Sequence, residues 1–203
     1  MIPKVKFVYS WSYDSTLCML LKRKWKLTYV KSSVNYIRRL NKEWRKIEKK
    51  VLSEMAKTAR MKWKDKQITC FVVSHCIHSF SYPLTVIIRH KDDRLRRIDY
   101  VIDILIHELI HVLFVSNEIY NLDKYLGFDK EFKNEKMATN GHIYLHALHK
   151  HLYLKFFNKN RLARDIALAK SKSMPGYDRA WEIVEEYGHE NLIKRLRNAV
   201  KNR

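Results

Sequence analysis

Glycine and proline are scarce in this 203-residue chain, at 4 and 3 residues, which argues against a turn-rich all-β fold and favours helices. Cysteine is scarce too. Cys18, Cys70 and Cys76 are too few for a disulfide framework, so a reduced, intracellular (cytoplasmic) setting is expected. No apolar run approaches the ~18 residues that a membrane span needs. The opening MIPKVKFVYSW lacks an apolar stretch followed by a small-residue cleavage site, so a signal peptide is not expected. No G-x-x-x-x-G-K-[ST] or G-x-G-x-x-G phosphate loop is present, and no G-x-S-x-G elbow. Acidic residues are outnumbered, 21 against 41 Lys and Arg, for a formal net charge of +20. Apolar residues are not lacking. At 46%, with 12% aromatics, they can form one sizeable core and exclude global disorder.

The charge is uneven: residues 1–66 carry a net +14 of the +20. Such a segment could meet nucleic acid, an anionic membrane or an acidic protein, or could simply be a solvated cationic face. Within it, residues 4–11 alternate Val5, Phe7, Tyr9, Trp11 with Lys4 and Lys6 and read as a half-buried strand. Residues 14–24 suit a short helix. A long helix follows, capped by Ser32 or Ser33, with Val34, Ile37, Leu40, Trp44, Ile47, Val51 and Met55 at three- and four-residue steps. Its opposite face carries Arg38, Arg39, Lys42, Arg45, Lys46, Lys49 and Lys50.

Residues 67–89 change period. ITCFVVS and LTVIIR are rich in β-branched residues around HSFSYP, which predicts a hairpin or two adjacent strands. Asp92 or Asp93 can cap a helix that is apolar nearly all round from Ile98 to Val115, hence central and buried. Residues 119–139 read as a surface loop. A helix is predicted over 141–157, and two more in the tail, the first opened by Pro175 and Gly176 and closed by Gly188. The fold class is α+β in a single domain, 1–203, with a basic segment 1–66, a core 67–157 and C-terminal helices 158–203.

The central helix contains His107-Glu108-Leu109-Ile110-His111, an H-E-x-x-H motif. Histidines at i and i+4 stack on one helix face, and their ring nitrogens can converge on one Zn²⁺ at ~2.0–2.1 Å. Glu108 projects about 100° away, placed to take a proton from a water as general base. Polar side chains in an apolar helix are costly unless paired or ligating a metal. A catalytic zinc site needs a third protein ligand. Glu118 lies two turns beyond His111, about 10 Å along the axis, and is rejected. The helix over 141–157 offers His142, His146, His149 and Tyr153 in one polar stripe, beside Leu145, Leu148, Leu152 and Phe156. Asp103, one turn before His107, is a candidate acceptor for its second ring proton. Cys70, His75, Cys76 and His78 are residue types that suit zinc but lack the paired spacing of a finger or ribbon, and the two cysteines also read as buried thiols.

Over residues 67–157 the chain resembles the zincin (HEXXH) metallopeptidases: strands, the HELIH helix, then a second ligand-bearing helix. The extended metzincin motif does not fit, since Phe114 and Asn117 stand where its glycine and third histidine would be. In the gluzincin branch the second helix carries a Glu ligand and, four residues on, a supporting Asp. His142 and His146 occupy those places, so the resemblance implies His142 as third ligand and His146 as its support or as the alternative ligand. A third histidine is closer to SprT-like proteases, although the 31-residue step from His111 is longer than theirs. The resemblance thus implies a minimal, divergent zincin of archaeal or viral type.

The expected function is a metallopeptidase with one Zn²⁺ per chain on His107, His111 and His142. Glu108 is its general base, and a peptide or protein its substrate. Tyr153, His149 and Tyr177 are candidate donors to the developing oxyanion. The alternatives are a basic nucleic-acid-binding protein with a structural or vestigial zinc, and a DNA-associated protease that combines both. A closed, inactive site would follow if His146 or His149 filled the water position.

Overall fold

The structure is a computed structural model that describes residues 1–119, 131–173 and 176–201. In chain order the strands are β1 (Lys4–Val8), β2 (Gln67–Val73), β3 (Phe80–Ser81) and β4 (Leu84–Ile87). The helices are α1 (Trp11–Leu20), α2 (Thr28–Arg45), α3 (Glu48–Ala59), α4 (Ile98–Ser116), α5 (Met137–Phe156), α6 (Lys159–Leu168), α7 (Tyr177–Tyr187) and α8 (His189–Lys201). A π-helical turn, Ala169–Ser173, continues α6. The class is α+β, as expected, and among the described residues no helix is long and apolar enough to cross a membrane.

The contacts divide the chain into two compact units: Met1–Lys50 with Lys64–Val112, and Val51–Trp63 with Leu113–Arg203. The first holds the sheet, in the order β1-β2-β4-β3. β1 shows the expected alternation, Val5 buried between exposed Lys4 and Lys6, and β2 buries Ile68, Cys70 and Val72. β1 pairs parallel to β2 with Val5 beside Ile68, and β2 pairs parallel to β4 with Val72 beside Val86. Of the two arrangements predicted for 67–89, ITCFVVS and LTVIIR form adjacent parallel strands, and the only hairpin in the segment is the short one between β3 and β4 around Tyr82-Pro83. Buried Asp14 of α1 explains this. Its carboxylate accepts from the Ser74 amide at 2.6 Å and from Ser74 Oγ at 2.9 Å, drawing the chain out of the sheet where a hairpin would turn. The chain re-enters through β3, antiparallel to β4.

Three helix limits differ from expectation for local reasons. The first helix starts at Trp11, where Ser10 caps it, so the predicted strand over 4–11 stops at Val8. The long basic helix begins at Thr28, before Ser32, and breaks at Lys46–Ile47. There the Glu48 carboxylate accepts from the Val5 amide at 2.7 Å and from Trp44 Nε1 at 3.0 Å, pinning the start of α3 to β1. Asp92 and Asp93 do not cap α4. Asp93 sits in a turn at φ +68° and its carboxylate is taken by Lys26, Tyr29 and His75, so α4 starts only at Ile98.

In the second unit, α5 packs against α7 and α8 around Leu145, Leu148, Leu152, Trp181, Leu192 and Leu196, all buried. The two tail helices lie where they were predicted, with Gly188 between them at φ +76°. Helix α6 was not foreseen; Asn158 caps it, accepting from the Arg161 amide at 3.0 Å. Of the loop expected over 119–139, residues 120–130 lie outside the described residues, as does Pro175, and α5 already begins at Met137.

Candidate metal centre

Helix α4 has the burial its sequence implies. Leu105, Ile106, Leu109, Ile110 and Leu113 are fully enclosed, while His107 and His111 are half-buried. The two imidazoles lie one turn apart with ring centroids at 5.0 Å. On α5, His142 is buried, and its Nδ1 lies 2.7 Å from the Ala138 carbonyl oxygen. A carbonyl only accepts, so Nδ1 carries the proton and Nε2 presents the lone pair that a metal takes. Burial holds the His142 pKa at about 4, so the ring is neutral and ligand-competent at neutral pH.

One ligand atom from each of His107, His111 and His142 lies within 4.8 Å of the other two. This trio could hold a metal ion. The donor set fits: three imidazole nitrogens suit Zn²⁺ and other borderline divalent metals, and leave a coordination position open.

Glu108 is buried on the same helix, and desolvation pushes its carboxyl up to about 8. The Cys70 thiol of β2 is raised strongly, first by its own complete burial and then by the Glu108 charge. Asp103 is buried as well.

The remaining candidates divide. His146 stacks on Trp181 of α7, ring centroids 4.4 Å apart and nearly parallel, and is not part of the converging trio. His149 stacks on Tyr153 at 4.3 Å, with Nδ1 3.7 Å from an Asp165 carboxylate oxygen. Burial drives its pKa down to about 3. Tyr177 places its ring 3.8 Å from that of His142.

Among the described residues, Cys70, His75, Cys76 and His78 form no such trio: Cys70 is fully buried and His75 bonds Asp93 at 2.8 Å. Glu118 lies past the end of α4 at φ +56° and stands outside the trio. Trp181 and Asp165 were not singled out from sequence. The spacing of Trp181 four residues after Tyr177 carried a signal, since it puts both on one face of α7. No family model matches the chain, and neither a curated protein nor a solved structure is significantly similar to it.

Proposed function

We propose that the chain is a zinc-dependent metallopeptidase of zincin type. The observation that carries this reading is the convergence of His107, His111 and His142, with two of the three in an H-E-x-x-H helix. Zn²⁺, when bound there, supplies a Lewis acid and lowers the pKa of a water towards ~7. The other steps belong to the chain. The Ala138 carbonyl fixes the tautomer and aim of His142. Glu108, once ionised, takes the proton of the attacking water and returns it to the leaving amine; the charge of a bound Zn²⁺ would favour that ionised form against the desolvation that raises the carboxyl to about 8. Of the three oxyanion candidates, Tyr177 is assigned as the donor to charge developing on the carbonyl oxygen, a reading supported by its ring lying against His142. Glu108→Gln is expected to lower peptide hydrolysis about a hundredfold or more while metal content is unchanged. Undiminished hydrolysis in that variant would contradict the assignment.

A second reading, nucleic-acid binding with a structural or vestigial zinc, draws on Arg38, Arg39, Lys42, Lys49 and Lys50, all exposed. It predicts that log affinity for duplex DNA falls linearly with log salt, at a slope of about −0.9 per phosphate neutralised. A flat salt response excludes it; a steep one alongside Glu108-dependent hydrolysis supports a DNA-associated protease.

A further inference from the structure

Helix α1 ends in a way that exposes apolar side chains. The Arg23 amide bonds back to Cys18 O and the Lys22 amide to Met19 O, both at 2.9 Å, with Lys22 left-handed at φ +54°. This Schellman closure reverses the chain directly after the helix. The returning segment runs back along α1, for Trp25 Nε1 donates to Asp14 at 3.2 Å and its ring lies 6.3 Å from that of Trp11, the first residue of the helix. Helix and return thus lie side by side, and where they meet at the end of α1 Met19 is 68% exposed and Leu20 71%, with Leu27 78% exposed beyond the return.

The charge of this part of the chain is nearly all of one sign. Residues 1–42 contain ten Lys and Arg and a single acid, Asp14. Asp14 is fully buried, accepting from Tyr9, Trp25 and Ser74. Asp93, whose carboxylate bonds this segment, is engaged by Lys26, Arg23, Tyr29 and His75, and exposed Asp92 beside it pairs with Arg94. Lys22 and Lys24 are exposed between Leu20 and Leu27.

We propose that α1 and the segment returning from it dock on an anionic lipid bilayer, independently of the metal centre. Lys22 and Lys24 meet the headgroups, while Met19, Leu20 and Leu27 enter the acyl boundary. Phosphates of a nucleic acid would satisfy the lysines but give Met19, Leu20 and Leu27 nothing apolar to enter. A second copy would set like charges against like.

The test is co-sedimentation of the full chain with vesicles of phosphatidylcholine alone, and of phosphatidylcholine with about a third phosphatidylserine. Binding to the anionic vesicles is expected. Lys22→Glu with Lys24→Glu should weaken it at least about tenfold, and Leu20→Ser with Leu27→Ser roughly tenfold. All four positions are exposed, so both variants should keep the parent's thermal transition. As a readout that needs neither variant, binding of the unaltered chain to the anionic vesicles should weaken as salt rises. Four results would overturn the proposal. One is no binding to either vesicle, and another is anionic binding indifferent to the leucine pair. The third is duplex DNA binding that the leucine pair weakens as much as vesicle binding. The last is a concentration-dependent dimer that the pair abolishes without any lipid binding.

Discussion

His149 is enclosed between Tyr153 and the Asp165 side of α6, and its depressed pKa, about 3 against an ordinary 6.5, follows from burial first and from the Arg161 charge second. The linkage has a definite sign. The unfolded chain binds a proton at this ring below pH 6.5, whereas the folded chain does so only near 3. Its contribution to stability is therefore complete above 6.5 and is lost progressively as pH falls through that window. His149→Gln, followed by thermal unfolding against pH in the presence of a chelator, is expected to reduce the pH dependence between 6.5 and 3 by about one proton. An unchanged profile would mean that the ring is solvated. At this scale the H-E-x-x-H pair was legible, because a polar motif in an apolar helix demands an explanation. His149, His146 and Tyr153 looked equivalent to His142 in the stripe. What separates them is which neighbour each ring meets, Trp181 for His146 and Asp165 for His149, and helical spacing along one chain carries no information about that.

Helix α7 is bounded by two glycines that differ in what surrounds them. Gly188 has φ +76° with nothing within 4 Å of a built Cβ, whereas at Gly176, φ +89°, such a Cβ would lie 3.0 Å from Thr139 Oγ1 and 3.1 Å from the Thr139 amide of α5. Gly188→Ala should then cost about 1–2 kcal/mol from backbone strain alone. Gly176→Ala should cost more, because backbone and side chain of α5 must also shift. Chemical unfolding of the two variants checks the order; equal losses would contradict the close approach of Gly176 to α5. These glycines were visible as helix limits in the sequence, since few residue types can adopt their conformation. The break between α2 and α3 was not visible. The apolar repeat from Leu40 through Trp44 to Val51 runs through it without a fault, and the interruption comes from Glu48 reaching a β1 amide 43 positions away. The parallel pairing of β2 and β4 was hidden for the same reason. β-branched content announces strands, but their direction depends on Asp14 drawing Ser74 out of the sheet.

Across the whole chain, charge and chemistry occupy different places. The excess of Lys and Arg lies in residues 1–66, and the histidines of the trio lie on α4 and α5. The α+β class and the central buried helix were legible because both depend on composition and local period. Helix α6 and the two-unit division were not, since a short capped helix has a weak period and a boundary at Val112 falls within an unbroken helix. The account depends above all on the trio being a metal site. The most direct measurement is elemental analysis of the purified chain beside His142→Ala, each before and after dialysis against Zn²⁺. One zinc per chain is expected in the parent, and affinity at least about tenfold weaker in the variant. A parent chain that carries no metal and takes up none from added Zn²⁺ would contradict the account.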